Sequence, residues 1–289
     1  MSNSIAEVLA EASQILRNAG VPNARREAAS LLAYTIAKDR TFLISHAENE
    51  LSTNEFKSFA DSVDRRAQGE PLQYITGQQD FYGRVFRVSP DVLIPRPETE
   101  LLVEAALELI SASQGPVRIC DVGTGSGCIA ITLASENANV NGVAVDISPS
   151  ALKIAKQNAI ANNVDERLAF TLSDCFDALP EDGPLFDLIA SNPPYVAADV
   201  VAGLQREVKD HEPMVALTPG SDGLSMIRRL IEQAPPYLRK GGQLLLEIGF
   251  DQGEAIRGLV NETHWQLVEI RPDLQGIPRI VILRKISLA

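Results

Sequence analysis

The sequence predicts an α/β protein, with a doubly wound and mostly parallel sheet of seven strands that follows a small N-terminal helical bundle. Three observations lead to this prediction. Residues 1–78 place apolar side chains at helical spacing. From residue 117 onward, short β-branched runs alternate with helical segments, which is typical of a parallel sheet with helices on both faces. With 289 residues, 45% of them hydrophobic, the chain is long enough to bury the cores of two domains.

The N-terminal residues 1–78 predict three helices. The first ends at Gly20, a residue type that favours helix C-termini. The third ends before Gly69 and Pro71. Their apolar stripes indicate a small antiparallel bundle. The predicted helices are 5–20, 24–38 and one that begins at Ser52 or Thr53.

A second domain, residues 96–289, is predicted to follow a linker. Residues 79–95 alternate apolar and polar positions around Gly83, which predicts a β-hairpin linker. A helix is expected to start near Thr99. Only a turn-rich segment separates the last two strands, so we expect them to pair antiparallel. The predicted strands are 117–122, 142–147, 168–172, 186–191, 243–248, 266–270 and 279–284. The predicted helices between them are about 128–136, 149–162, 222–238 and 251–262.

Charge and composition exclude several classes of function. The formal net charge is −12, and residues 91–289 hold 16 basic and 27 acidic side chains. Such an acidic body is a poor partner for a phosphate backbone, so no direct contact with nucleic acid is expected. The three cysteines form no C-x-x-C pair and His46, His211 and His264 are scattered, which predicts no metal site. Without a long apolar run or a basic leader, we expect a cytoplasmic protein with no membrane contact.

A glycine-rich loop lies between the first strand of the sheet and the next helix. Glycines permit a tight turn and let a ligand approach the backbone closely. Dinucleotide loops follow G-x-G-x-x-G/A, whereas Cys128 occupies the final position here, which weakens a nicotinamide interpretation. A helix N-terminus also suits a carboxylate, such as the methionine tail of S-adenosylmethionine. The loop comprises Gly123, Thr124, Gly125, Ser126 and Gly127.

Acidic residues lie at or just after the ends of the next two strands. Asp146 lies 19 positions after Gly127, where doubly wound folds bind ribose hydroxyls, although it could instead be an acid at the start of a helix near Ser148. Asp174 follows the third strand and could accept a hydrogen bond from the exocyclic amine of adenine, or be an acid in a turn. We predict that both acids contact a cofactor.

The fourth strand runs directly into the segment Asn192-Pro193-Pro194-Tyr195. Consecutive prolines cannot continue a strand ladder, and they restrict the residue before each of them, so the segment is stiff and extended. The side-chain carbonyl of Asn192 and the backbone carbonyl of Pro193 can both accept from a planar NH2 group. Two acceptors would orient the nitrogen and make it more electron-rich. Tyr195 could pack on the flat substrate group. The alternative interpretation of the whole segment is a turn that ends the strand and has no chemical role.

Taken in order, DVGTGSG, AVD and NPPY resemble the seven-stranded, Rossmann-like S-adenosylmethionine-dependent methyltransferases that act on planar amide or amine nitrogen. FYG with PRPETE, the helical N-terminal domain and the late DLQGIPR narrow the resemblance to the release factor glutamine N5-methyltransferases. The resemblance implies methyl transfer to the glutamine N5 of the Gly-Gly-Gln motif in class 1 peptide-chain release factors. It also implies that residues 1–78 grip that protein and that S-adenosylmethionine is the cofactor.

The resemblance also implies the roles of individual residues. Related members can carry an aromatic residue at Cys175, so Phe176 is an alternative source of a ring that stacks on adenine. The implied cofactor contacts are Gly123, Thr124, Gly125, Ser126, Gly127, Asp146, Asp174, Cys175 and Asn192. The implied substrate contacts are Asn192, Pro193, Pro194 and Tyr195, of which Asn192, Pro193 and Tyr195 are the predicted catalytic residues.

Two other functions stay open on the sequence alone. NPPY is shared with adenine-N6 DNA methyltransferases, so adenine-N6 methylation of nucleic acid is the alternative activity. A third hypothesis is a non-catalytic protein that binds the cofactor and acts by interaction. Arg96 could contact a ligand or pair with Glu98 or Glu100. Glu247, within an apolar strand, is assigned no role.

Overall fold

The computed structural model describes residues 3–286. Positions 1–2 of the predicted N-terminal domain and 287–289 of the predicted methyltransferase domain lie outside the described residues. The chain divides into two compact units. One holds the residues up to Gln78 together with Gln205–His211, and the other holds Gln79–Leu204 and the residues from Glu212 onward. The functional division into a recognition domain, a linker over 79–95 and a methyltransferase domain stays a prediction.

The secondary structure of the described residues consists of helices and strands in the following order. The helices are α1 (Ile5–Asn18), α2 (Ala24–Thr35), α3 (Arg40–Ser45), α4 (Thr53–Ala67), α5 (Leu72–Thr76), α6 (Thr99–Ser111), α7 (Cys128–Glu136), α8 (Pro149–Ala161), α9 (Arg206–His211), α10 (Met214–Leu217), α11 (Ser225–Gln233) and α12 (Gly253–Leu259). The strands are β1 (Gln78–Phe81), β2 (Arg84–Arg87), β3 (Val117–Val122), β4 (Val140–Asp146), β5 (Leu168–Leu172), β6 (Phe186–Ser191), β7 (Leu238–Glu247), β8 (Trp265–Pro272) and β9 (Pro278–Lys285). None of these helices is long and apolar enough to cross a membrane, a finding that covers residues 3–286.

The first unit is a set of helices around one apolar cluster. Leu16 of α1, Leu31 of α2 and Phe59 of α4 are all buried in this cluster. The predicted start of α4 is confirmed, because Ser52 and Glu55 form a reciprocal capping box at its first turn. Helices α3 and α5 were not predicted, since segments of five or six residues show too little periodicity to be recognised.

Helix α9 belongs to the first unit although it lies far from it in the sequence. Arg66 of α4 is 4% exposed. Its Nε donates to Glu27 at 2.5 Å, and its Nη2 donates to Glu207 of α9 at 2.8 Å. A charge buried this deeply is tolerated only when it is paired, so the two carboxylates stabilise the position of α9.

Replacing Arg66 with alanine is expected to destabilise the first unit by about 3 kcal/mol, because Glu27 and Glu207 would lose their shared partner. Urea unfolding followed by far-UV circular dichroism measures the change. The matched control is Arg65→Ala, because Arg65 is an exposed neighbour whose pair with Glu70 is expected to contribute about 1 kcal/mol or less. Equal losses in the two variants would contradict a special role for the buried arginine.

The second unit is built on a seven-stranded sheet in the order β5-β4-β3-β6-β7-β9-β8. Strands β3 to β7 pair in parallel, whereas β9 is antiparallel to both β7 and β8. The predicted doubly wound, mostly parallel sheet and its antiparallel final pair are therefore confirmed. Strands β1 and β2 form a separate two-stranded sheet, and Tyr82 and Gly83 between them both have positive φ, as tight hairpin turns require.

Successive residues of the central strands pack on opposite faces of this sheet. Ile119 and Leu188 belong to one apolar cluster, while their neighbours Cys120 and Ile189 belong to the other. Helices α6 and α7 cover the first face, and α11 covers the second. Helix α11 ends earlier than predicted because Pro235 lacks an N–H and cannot continue it. With both faces covered, ligands can bind at the carboxyl ends of the parallel strands.

Candidate functional site

A cleft of about 1020 Å³, a volume that includes solvent at its mouth, lies within the second unit at this edge of the sheet. Val122, Asp146, Ser173 and Asn192, which end or follow β3, β4, β5 and β6, line its wall. The predicted site residues that line the cleft are Gly123, Thr124, Gly125, Ser126, Asp146, Asp174, Cys175, Asn192 and Pro194. The predicted site residues outside the cleft lining are Gly127, Pro193 and Tyr195.

The glycines of the loop after β3 serve two different purposes. Gly123, Gly125 and Gly127 all have positive φ, which side chains other than glycine rarely adopt. A Cβ on Gly123 or Gly125 would meet no atom within 4 Å, so their backbone is open to a ligand. A Cβ on Gly127 would lie 2.6 Å from Cδ1 of Ile131, which indicates a packing role. The predicted contact between Gly127 and the cofactor stays a prediction.

Asp146 ties the glycine loop to the end of β4. Its Oδ2 accepts from the backbone N–H of Gly125 at 2.8 Å, and its Oδ1 accepts from that of Ser148 at 2.9 Å. The Ser148 side chain, rather than Asp146, caps α8. Burial raises the pKa of Asp146. Because each carboxylate oxygen accepts more than one hydrogen bond, Asp146 has acceptor capacity left for hydroxyl groups in the cleft.

Asp174 lies in the part of the cleft wall that is formed by the residues after β5. Its Oδ1 accepts from Nη1 of Arg229 in α11 at 2.6 Å. The ion pair leaves Oδ2 with acceptor capacity, and the side chain is 43% exposed. Asp174 can therefore accept from an amine in the cleft while Arg229 holds it in place.

The apolar wall beside Asp174 is formed by Cys175 rather than by Phe176. Cys175 lines the cleft, and burial raises the pKa of its thiol to about 11, so the thiol is neutral at pH 7. Phe176 is 1% exposed and stacks on Tyr237 with ring centroids 4.7 Å apart, away from the cleft. Ile147, which the sequence analysis did not single out, also lines the cleft and is largely exposed.

The Asn192–Tyr195 segment leaves the end of β6 with its first side chain facing the cleft. Asn192 lines the cleft, and its Nδ2 donates to the hydroxyl oxygen of Thr99 at 3.0 Å. Pro193 is buried. The hydroxyl of Tyr195 donates to Glu247 at 3.3 Å, and its ring packs against the apolar cluster on the α11 face. The predicted contact of Tyr195 with substrate stays a prediction.

Two residues hold the backbone of this segment from behind. Gln252 donates from Nε2 to the carbonyl oxygen of Tyr195 at 2.9 Å. A Cβ on Gly223 would lie 2.3 Å from that same oxygen, so only glycine permits this approach. The sequence analysis missed both residues. The available signal was Gly223 within the turn-like run GSDG, whereas the Gln252 contact has no local pattern.

Replacing Gly223 with alanine is expected to lower kcat for the reaction at this cleft about tenfold to 100-fold, since displacing a positioning segment by about 1 Å has effects of that size. Steady-state kinetics measures the loss. Gly220→Ala is the matched control, because Gly220 has a similar positive φ but a Cβ there meets nothing within 4 Å. If both variants lost the same activity, backbone strain alone would explain it.

Arg96 faces the cleft and forms an ion pair with a buried carboxylate. Its Nη2 donates to Glu212, whose side chain is 1% exposed and also accepts from the backbone N–H of Ile94. Of the alternatives left open by the sequence, a pair with Glu98 or Glu100 is replaced by this pair with Glu212, which lies 116 residues away in the sequence. Arg96 is still 31% exposed in the cleft wall, so its guanidinium is accessible to a ligand in the cleft.

Glu247 is buried behind Asn192 at the end of β7. It is 1% exposed, and burial raises the pKa of its carboxyl group to about 7. Its Oε2 accepts from the Thr99 hydroxyl at 2.6 Å. The sequence signal for this residue was a single acid within an otherwise apolar strand. Among residues 3–286, no cluster of His, Cys, Asp and Glu side chains could hold a metal ion.

Comparisons with known proteins found family matches in both parts of the chain and relatives that match nearly all of it. Residues 7–77 match the family described as PrmC N-terminal domain, and residues 98–209 match the family described as Methyltransferase small domain. The "Release factor glutamine methyltransferase" of Koribacter versatilis is 45% identical over 270 residues, covering 93% of this chain and 94% of that protein. The protein of that name from Cereibacter sphaeroides is 45% identical over 279 residues, covering 96% of this chain and 98% of its own.

A solved structure supports the fold. A methyltransferase from Pyrococcus furiosus matches with a TM-score of 0.52 at 16% identity, covering 79% of this chain and all of its own. At that identity the likeness concerns the architecture alone.

Proposed function

Because this chain belongs to the family of release factor glutamine methyltransferases, we propose that its cleft holds S-adenosylmethionine beside the side chain of a substrate glutamine. The chain is an S-adenosylmethionine-dependent protein-glutamine methyltransferase, which methylates the side-chain amide nitrogen of glutamine in a peptide-chain release factor. The observation that carries the assignment of the site is the position of Asn192 in the wall of the same cleft as the glycine loop and Asp146.

The described residues fit the cofactor. The open backbone of Gly123 and Gly125 before α7 suits the carboxylate of the methionine part. Asp146 would accept from the ribose hydroxyls, and Asp174 from the adenine amine. Cys175 and Ile147 supply apolar surface for the purine without an aromatic ring. When bound, S-adenosylmethionine supplies a methyl group on a positively charged sulfur.

The substrate side of the cleft is assigned to the Asn192–Tyr195 segment. The Oδ1 of Asn192 would accept an N–H of the substrate amide, and the carbonyl of Pro193 would accept the other. Two fixed acceptors hold the nitrogen in one orientation and increase its electron density. No side chain would have to remove a proton before the amide nitrogen bonds to the methyl carbon, because the methylated nitrogen is acidic enough to release its proton to water. Orientation and preorganised dipoles then account for most of the acceleration.

The identity of the glutamine and the mode of docking belong to the same proposal. We assign the substrate as the glutamine of the Gly-Gly-Gln motif in class 1 release factors, with the helices of the first unit gripping the rest of that protein. A cytoplasmic location follows from this assignment, because release factors act on ribosomes. The relatives reported above are named for release factors rather than nucleic acid, so adenine-N6 methylation is not favoured.

Incubation of the full chain with methyl-labelled S-adenosylmethionine tests the assignment, with a class 1 release factor and adenine-containing DNA supplied in separate reactions. Label is expected on the Gly-Gly-Gln glutamine and not on the DNA. A release factor with that glutamine changed to alanine is the matched control. Label that persists on the control protein, or that appears on DNA alone, would overturn the proposed substrate.

A further inference from the structure

Three side chains form a chain of hydrogen bonds that begins in the cleft wall, with Asn192 and Thr99, and ends at the buried Glu247 behind it. Asn192 contacts the hydroxyl of Thr99 at 3.0 Å, and this hydroxyl contacts Oε2 of Glu247 at 2.6 Å. Thr99 is 2% exposed and Glu247 is 1% exposed, so water does not compete for either contact. The first residue of α6, the end of β7 and the residue after β6 are thereby connected through side chains alone.

The chemistry of these groups determines the direction of each hydrogen bond. An ionised Glu247 only accepts hydrogen bonds. The single hydrogen of the Thr99 hydroxyl is therefore donated to Glu247, which leaves the Thr99 oxygen only as an acceptor. The atom of Asn192 that contacts Thr99 must then be its NH2 group. Its carbonyl oxygen is consequently on the side of the carboxamide away from Thr99.

We propose that Thr99 and Glu247 are positioning residues, which orient the Asn192 carboxamide so that its oxygen rather than its NH2 group is presented to the substrate nitrogen. The inference rests on the proposed function and deepens it. In the reversed orientation, the NH2 group of Asn192 would face the NH2 group of the substrate, and neither group could accept a hydrogen bond from the other. The ordering acts on Asn192 alone and leaves the cofactor loop unchanged.

The protonation state of Glu247 decides whether this ordering holds. Burial raises its pKa to about 7, Glu98 adds to the increase, and Arg279 opposes it; the hydroxyls of Thr99 and Tyr195 donate to it. A protonated Glu247 can donate to Thr99, which frees the Thr99 hydrogen to bond the carbonyl oxygen of Asn192. The favoured orientation is therefore present above pH 7 and is lost as the pH falls below it. We therefore expect kcat to decrease as the pH falls below about 7.

Replacing Thr99 with valine tests the inference, because valine has the same shape but no hydroxyl. We expect kcat for release factor methylation to fall about tenfold to 100-fold, with the KM for release factor and the Kd for S-adenosylmethionine changed less than about threefold. Thr99→Ser keeps the hydroxyl and is expected to retain most of the wild-type kcat. Thr132→Val is the matched control, since Thr132 is a fully buried threonine of α7 whose hydroxyl has no partner among the described residues.

Glu247→Gln provides a second readout that a purely structural role would not change. Its NH2 group can donate to Thr99 at every pH, so kcat is expected to be low and its pH dependence near 7 to disappear. An unchanged pH profile in this variant would overturn the inference. So would a Thr99→Val enzyme with wild-type kcat, or a serine variant no better than valine. If the wild-type chain itself failed to label the release factor, the proposed function would fail instead.

Discussion

Replacing Asn192 with alanine is expected to lower kcat for glutamine methylation about 100-fold to 1000-fold, the effect of removing one preorganised group that acts on the reacting atom. The variant would lose the proposed side-chain acceptor for the substrate amide, while the glycine loop and Asp146 would be unchanged. Binding of S-adenosylmethionine should weaken by about tenfold at most, as expected for the loss of one hydrogen bond. Single-turnover methylation and calorimetry measure the two quantities separately.

The Asn192 experiment also separates catalysis from mere cofactor binding. Asn162→Ala is the control, because Asn162 lies at the end of α8 and is not part of the cleft lining. A wild-type kcat in the Asn192 variant would refute the assignment of this residue and would favour the hypothesis of a non-catalytic cofactor-binding protein. If the loss of kcat were accompanied by an equally large loss of cofactor affinity, the main contact of Asn192 would be with the cofactor rather than with the substrate.

Replacing Asp146 with alanine is expected to weaken binding of S-adenosylmethionine about 100-fold. Hydrogen bonds to charged groups each contribute about 1.5–3 kcal/mol, and the variant would lose the bonds proposed to the ribose. It also removes the acceptor for the backbone N–H of Gly125, so the glycine loop loses its tie to β4. Calorimetry with the cofactor measures the change in Kd, while kcat at saturating cofactor should fall much less.

The Asp146 result is compared with that of Asp177→Ala. Asp177 is a mostly exposed aspartate that pairs with Arg229 and is not part of the cleft lining. Its replacement should leave cofactor affinity within about threefold, because exposed ion pairs contribute little. Equal losses of affinity in both variants would show that negative charge in general, rather than a ribose contact, explains the effect.

Local patterns in the sequence predicted most of the sheet. The bounds of β3, β5 and β6 agree with the predictions because each is a short run bounded by turn residues. Strands β3 and β6 are mostly buried, whereas β5 is a partly exposed edge strand. Helix α9 could not be predicted to join the first unit. Its link, the pair between Arg66 and Glu207, connects residues 141 positions apart, and no local periodicity records such a contact.

The candidate site was predictable where it is built from strand ends. Asp146 lies at the end of one predicted strand and Asn192 directly follows another, and parallel strands bring their carboxyl ends to one edge. The contact between Thr99 and Glu247 joins a helix start to a strand 148 residues away, so only the folded chain shows it. The partner of Arg96 was missed for the same reason: two nearby acids in the sequence were plausible, yet Glu212 is the one that the loop brings to it.

A structure of the enzyme with cofactor product and a glutamine-containing release factor fragment tests the central claim most directly. We expect the substrate amide nitrogen to lie about 2.7–3.2 Å from Oδ1 of Asn192, with Nδ2 still bonded to Thr99. A glutamine bound outside the cleft, or an Asn192 whose oxygen faces Thr99 while its NH2 group meets the substrate, would contradict the account.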